Sequence, residues 1–224
     1  MSQLKKFQHE TARPLPIIIL ADTSGSMSVD GKIEALNLSL QEMIKSFATE
    51  SRVRAELQVS VITFGGLQAE EVLPLTPAHA IEAMSSFDAA GPTPMGGAFQ
   101  LANALIEDSE RIPYPRAYKP VVVLVSDGYP TDDWQSAFEQ FNQGKYSAKA
   151  TRFAMAIGND ADETMLSEFA NDPEAPLFRG QNARDIHRFF RAVTMSVTTR
   201  SRSATPNQSV ELVVDEADDV EWEF

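Results

Sequence analysis

The chain predicts a doubly wound α/β fold: a mostly parallel, Rossmann-like sheet with helices on both faces. Three observations predict it. Two uninterrupted apolar runs, Leu-Pro-Ile-Ile-Ile-Leu-Ala at 15–21 and Val-Val-Val-Leu-Val at 121–125, have the length and β-branched content of strands buried on both faces. Segments with a helical apolar period alternate with segments that read as strands. Both strong runs lead into an aspartate, Asp22 after the first and Asp127 after the second. In a sheet of this kind ligands sit beyond the carboxyl ends of the strands, where the strand order switches. Two acids at equivalent strand ends therefore share one rim.

The elements follow in order. After the first strand, residues 30–50 place Ile33, Leu36, Leu40, Met43, Ile44 and Phe47 at steps of three and four, an apolar helical stripe for one sheet face. Residues 55–64 are a strand in which Leu57, Val59 and Val61 alternate before Ile62 and Phe64. Residues 70–75 are a short strand, and Pro74 puts it at an edge. Residues 94–110 are a helix burying Ala98, Leu101, Ala102, Leu105 and Ile106. The second strong strand, 120–126, precedes a helix at 132–143 that packs Trp134, Ala137, Phe138 and Phe141. A strand at 152–157, a short helix at 162–170, a last brief strand at Leu177-Phe178 and a helix at 183–199 complete the body. That last helix buries Ile186, Phe189, Phe190, Val193 and Val197. No internal repeat is visible. The organisation is an N-terminal extension at 1–14, one domain at 15–200 and an acidic C-terminal tail at 201–224, with a short strand-forming segment at 210–214.

Composition narrows the function. With 224 residues, 43% of them apolar, the chain buries a full core. It has no cysteine, which excludes disulfides, thiolate zinc sites, iron–sulfur clusters and a cysteine nucleophile. Residues 1–13 are polar, without the apolar core of a secretory signal, and no stretch approaches the ~18 apolar residues of a membrane span. The expected location is the cytoplasm. A net charge of −13 argues against nucleic acid or an anionic membrane as partner, since both reward a basic face. More than half of that excess is in the tail, where the last fourteen residues hold Glu211, Asp215, Glu216, Asp218, Asp219, Glu221 and Glu223 and no basic residue.

The chemistry concentrates in Asp22-Thr23-Ser24-Gly25-Ser26. In locally extended backbone, residues i, i+2 and i+4 point the same way, so Asp22, Ser24 and Ser26 converge while Gly25 lets the chain curl. Three hard oxygens on one point suit a hard divalent cation. Thr93, in Gly91-Pro92-Thr93-Pro94-Met95-Gly96-Gly97-Ala98, adds a hydroxyl near a helix start, where it also reads as a cap. The rim then holds Asp22, Ser24, Ser26, Thr93 and Asp127. A plainer reading makes Asp22 to Ser26 a polar turn and Asp127 a turn acid in Ser-Asp-Gly. Ser28 or Asp30 is the better cap for the first helix. Asp132 and Asp133 fit N-capping of the helix that Trp134 opens. Tyr129 and Pro130, beside Asp127, are candidate partner contacts or simple turn residues. His9, His79 and His187 are scattered, and Arg184, Arg188 and Arg191 read as a solvated helix face.

These elements together resemble the von Willebrand factor type A domain and its metal-ion-dependent adhesion site. The resemblance rests on Asp-x-Ser-x-Ser after the first strand, Thr in a Gly-x-Thr-x-x-Gly-x-Ala loop and Ser-Asp-Gly after a later strand, in matching chain order, and covers roughly residues 15–196. Finer features resemble a bacterial branch, the TerY-type proteins of tellurium-resistance and stress operons. They are Arg13-Pro14-Leu15-Pro16, Ser60-Val61-Ile62-Thr63-Phe64, Val72-Leu73-Pro74-Leu75-Thr76-Pro77, Lys119-Pro120, Phe189-Phe190 and the run from Ser126 to Trp134. The acidic tail lies outside the resemblance.

The resemblance implies that Ser24, Ser26 and Thr93 coordinate magnesium (or manganese or calcium), with Asp22 and Asp127 binding it directly or through water. One position stays open for the Asp or Glu of a protein partner. It implies a cation-dependent adaptor whose partners are other tellurium-resistance proteins or an associated kinase or phosphatase. The tail acids resemble the ligand such a site takes, so the tail is also a candidate to contact its own or a neighbouring domain, including the arginine-bearing last helix. The rival readings are a metal-assisted hydrolase or phosphatase at the same rim and a domain merely stabilised by its ion. No P-loop, Gly-x-Ser-x-Gly elbow or aspartyl-phosphatase Asp-x-Asp is present, because Ser24 holds the second position. The expectation is binding, not catalysis.

Overall fold

A computed structural model describes residues 12–208, except 52, 172 and 174, together with 212 and 213. Its strands are β1 (Arg13–Asp22), β2 (Ala55–Gly65), β3 (Gln68–Pro77), β4 (Val121–Ser126), β5 (Thr151–Ile157) and β6 (Phe178–Gly180). Its α-helices are α1 (Lys32–Ala48), α2 (Met95–Glu107), α3 (Trp134–Gln143), α4 (Glu163–Phe169) and α5 (Ala183–Arg202). The strands form one sheet in the order β3-β2-β1-β4-β5-β6. All neighbours are parallel except β2 and β3, which form an antiparallel hairpin at the edge. The doubly wound expectation holds, and so does the edge position that Pro74 implies.

The two apolar runs are continuous because both faces of their strands are covered. Leu15, Ile17, Ile19 and Ala21 of β1 and Val121, Val123 and Val125 of β4 join one core with the apolar stripes of α1 and α5. Ile18 and Leu20 of β1 and Val122 and Leu124 of β4 join a second core with α2, α3 and α4. The side-chain period of two assigns alternate residues to opposite faces, and neither face is solvated. In the second core Phe99, Phe138, Phe141 and Phe169 pack ring on ring, with centroids 5.3–6.4 Å apart.

This topology defines the site's address. The chain winds outward from β1 to β2 and β3, then returns to β4 on the other side of β1, so the order switches between β1 and β4. In the β1–β4 register Ala21 faces Val125, which makes Asp22 and Ser126 the next neighbours beyond the last pair. Both continue the even-numbered positions of their strands and so point to the same sheet face.

Three cap assignments are corrected. α1 begins after Gly31 in a left-handed conformation without a side-chain cap, and Ser28 instead donates its hydroxyl to Gly25 O, so neither Ser28 nor Asp30 caps the helix. Thr93 does not cap α2. The Gly96 and Gly97 N–H groups donate to Asp132 Oδ1 and Oδ2 at 2.8 and 2.9 Å, so Asp132 serves the N-terminus of α2 from across the fold. Asp133 alone caps α3, accepting from Ser136 N. The close approach of the two helix starts explains Gly96, where a Cβ would lie 2.8 Å from Asp133 O and 2.9 Å from the Trp134 Cα.

α5 runs to Arg202, three residues past the sequence reading. Its end is tied down because buried Arg200 donates from Nε to Pro206 O at 3.0 Å and Asn207 Oδ1 accepts from Lys119 N at 2.8 Å. Leu212 and Val213 belong to no strand. The rest of the expected 210–214 segment and the tail acids lie outside the described residues, as does most of the N-terminal extension.

Candidate metal centre

Three loops meet above the β1–β4 crevice. The first leaves β1 and makes a single 3-10 turn at Gly25–Ser28. The second runs into α2 and is strapped to the first by Gly25 N to Gly91 O and Ala90 N to Thr23 O, both 2.9 Å. It is strapped to the β2–β3 turn by Gly66 N to Ala90 O at 2.6 Å. Gly91 is required at this crossing: its φ is +70°, and a Cβ would lie 2.6 Å from the Gly66 Cα. The third loop leaves β4. Thr131 and Thr93 pair reciprocally, Thr131 N to Thr93 O at 3.0 Å and Thr93 N to Thr131 Oγ1 at 3.1 Å.

The loops bring all five expected oxygen donors to one rim. Ser24 and Ser26 hydroxyls lie 3.0 Å apart, and Ser26 donates to Asp127 Oδ1 at 2.6 Å. Asp22 accepts from Ser24 N through Oδ1 at 2.8 Å and from the Ser126 hydroxyl through Oδ2 at 2.5 Å. Thr93 Oγ1 and Ser26 Oγ flank Gly128, 3.5 and 3.7 Å from where its Cβ would stand. Asp22, Ser24, Thr93 and Asp127 are buried, while Ser26 opens to solvent.

Two buried carboxylates side by side are an unfavourable arrangement without a cation. Burial, helped by the neighbouring Asp127 charge, raises Asp22 from 3.8 to about 6 against the pull of the Ser126 and Ser24 hydrogen bonds. Among the described residues the ammonium paired here is that of Lys32, whose Nζ lies 2.8 Å from Asp127 Oδ2, with the Asp127 side chain fully buried. Lys32 and Ser126 are the residues that sequence reasoning missed. Ser126 was visible as the residue next to Asp127, but only strand register puts it on Asp22. The signal for Lys32 is its place as the first residue of α1, where a cation opposes the helix dipole unless an anion answers it.

The donor set fits a hard divalent cation: two carboxylates, three hydroxyls, and a negative charge that one lysine only half offsets. Among the described residues no group of three or more His, Cys, Asp or Glu is arranged to hold a metal, so this mixed carboxylate–hydroxyl set is of a different kind. Outside it, Tyr129 is 63% exposed and Pro130 half-buried. Val29, 51% exposed, and Leu67, 96% exposed, stand in the first loop and the β2–β3 turn at the same end of the sheet. They too were missed, because an isolated apolar loop residue has no period to mark it.

The model of the von Willebrand factor type A domain matches residues 17–192. The chain belongs to this family. Domains of the family generally mediate protein–protein interaction, often with a metal ion. No curated protein is significantly similar in sequence to the chain. Among solved structures it resembles proximal thread matrix protein 1 from the mussel byssus, at 17% identity and TM-score 0.63, over 83% of this chain and 48% of that one. It resembles the ArnB paralog VWA2 from Sulfolobus acidocaldarius at 16% identity and TM-score 0.59, over 82% and 46%. A von Willebrand factor type A protein from Catenulispora acidiphila aligns at 19% identity and TM-score 0.60, over 83% and 42%. The chain thus spans about half the length of the structures it matches. These likenesses concern the fold. One form of the mussel protein has a zinc-occupied MIDAS (metal-ion-dependent adhesion site) motif. No helix among the described residues is long and apolar enough to cross a membrane.

Proposed function

We propose that this rim is a metal-ion-dependent adhesion site, and that the protein is a cation-dependent binding module. The observation that carries the reading is the buried Asp22–Asp127 pair, ringed by three hydroxyls and countered by a single ammonium. Asp22, Ser24, Ser26, Thr93 and Asp127 hold the cation. Magnesium suits this hard, oxygen-only set, with manganese and calcium as alternatives. The zinc-occupied motif of the mussel protein supports a divalent ion in such a rim. When bound, the ion supplies a Lewis-acidic position for an incoming carboxylate, because neutral hydroxyls leave its charge less quenched than a full set of acids would.

The partner is a protein that presents an Asp or Glu. Val29, Leu67 and Tyr129, with Pro130, give that acid apolar surroundings, and exposed apolar groups around a polar anchor are the make-up of a protein-binding patch. We assign the rim binding and not turnover. The TerY-type sequence features alone support a role in a bacterial tellurium-resistance or stress response. They likewise support other proteins of that system, or an associated kinase or phosphatase, as partners in the cytoplasm.

Calorimetric titration with magnesium, with and without Asp22→Ala, tests the site. Capture of the partner in magnesium against chelator tests its use. Saturable binding lost in the variant, and capture lost in chelator, are the expected results. An Asp22→Ala chain that binds magnesium and partner like wild type overturns the reading. Hydrolysis of a generic phosphoester that disappears in Asp22→Ala would assign turnover instead.

A further inference from the structure

α1 and α5 both start at the rim and run away from it side by side on one sheet face, and the seam between them opens into a groove of about 540 Å³. Its floor is apolar, with Met43 from α1 and Phe190 from α5, and Met195 stands half exposed at the lip. One bank is cationic. Arg184, Arg188 and Arg191 recur at one-turn steps along α5, facing Glu42 of α1 as the single acid of the lining. Arg188 also pairs with Asp185 at 3.2 Å. His187 and Ser39, 2.8 Å apart, tie the two banks together. In a chain of net charge −13, three arginines along an apolar trough are a local reversal of sign.

The path of the chain says what can lie there. After α5 the backbone is held at Pro206 and Asn207, and Leu212 packs against the same core that α1 and α5 bury. Leu212 therefore lies on the groove's own side of the sheet. Beyond Leu212 come six acids, Asp215, Glu216, Asp218, Asp219, Glu221 and Glu223, interleaved with Val214, Val220, Trp222 and Phe224. Residues 214–224 reach up to ~38 Å when extended. The length of α5 from Arg202 back to Arg184 is ~27 Å.

We propose that the acidic C-terminal segment, residues 213–224, docks intramolecularly in the α1/α5 groove, its carboxylates on the α5 arginines and its apolar residues on the Met43–Phe190 floor. The segment covers a flank whose lining carries three arginines against one acid. An acidic segment of another protein, or the tail of a second copy, would have to displace it. This docking is independent of the cation reading, since no rim residue takes part.

Trp222 reports the docking directly, being one of two tryptophans in the chain. Its emission is obtained in the full chain by difference from Trp222→Phe. The expected result is blue-shifted emission with acrylamide quenching reduced at least threefold. Both features should be lost in 1 M sodium chloride and in the Arg184→Glu, Arg188→Glu, Arg191→Glu triple variant. A Trp222 quenched like free indole in the wild-type chain overturns the proposal. Protection that vanishes on dilution together with a dimer seen by light scattering also overturns it, assigning the tail to a second copy. Should the triple variant not fold, Ser46→Cys with Ala217→Cys decides, because the chain has no other cysteine. A disulfide formed within the monomer supports the docking, and its absence under oxidation overturns it.

Discussion

The rim and the α1/α5 flank are built on opposite electrostatic plans. At the rim two carboxylates are buried, fixed by hydrogen bonds from three loops, and short of positive charge. On the flank Arg184 and Arg191 sit on the solvent side of one helix, beside a groove of about 540 Å³. The first is rigid because every polar atom must be answered where water is excluded. The second needs no such precision, since water screens its charges. A rigid, desolvated anion pair suits a small ion, and an open cationic trough suits a flexible acidic segment.

Substitutions separate the two. The largest effect belongs to Asp127→Ala, which removes a buried ligand and strands the Lys32 ammonium; magnesium affinity should fall at least 100-fold by calorimetry. Arg191→Gln on the flank should change it less than twofold, and a comparable loss there would abolish the distinction.

Asp22→Asn is next, and its sign depends on pH. Burial raises the folded pKa of Asp22 from 3.8 to about 6, so its contribution to stability is full below pH 3.8 and lost as the pH rises through 6. Asn does not ionise. In chelator, Asp22→Asn should therefore gain on wild type between pH 4 and pH 7, by on the order of 3 kcal/mol from denaturant melts. In magnesium the order should reverse, because only wild type is stabilised by the ion. A pH-independent difference would mean that Asp22 is not under this strain.

Lys32→Met sharpens the comparison further. Removing a cation next to the ligand set should tighten magnesium by about tenfold and enlarge the thermal shift that magnesium produces, since the metal-free chain loses its counter-ion. Unchanged affinity would make Lys32 a mere helix-start residue. The smallest effect is expected from Leu67→Ser, which should weaken partner capture severalfold while leaving magnesium titration unchanged.

Much of the fold was legible. Ile17 to Ala21 and Val121 to Val125 announce central strands because a strand covered on both faces has no polar position to interrupt it. Asp22, Ser24 and Ser26 announce themselves by local spacing, and Asp127 by ending the second run. Lys32 and Asp132 were not legible in the same way. Lys32 meets Asp127 across 95 residues, and Asp132 serves glycines 36 and 35 residues away, so its role as the cap of α2 and not of α3 has no local trace. The arginines of α5 were read as a solvated face because a helical period shows one surface at a time. The opposite bank, contributed by α1, comes from the other end of the chain.

The sequence by itself determined the strands, their burial on both faces and the oxygen donors at two strand ends, because apolar periodicity and local spacing are properties of neighbouring residues. Only the tertiary structure decided that β1 and β4 are adjacent at the switch in strand order, that Lys32 neutralises Asp127, that Asp132 crosses to another helix, and that α1 and α5 leave a cationic groove between them. Those outcomes depend on strand order and helix packing, which join residues far apart in the chain, and no local pattern encodes a partner's distance.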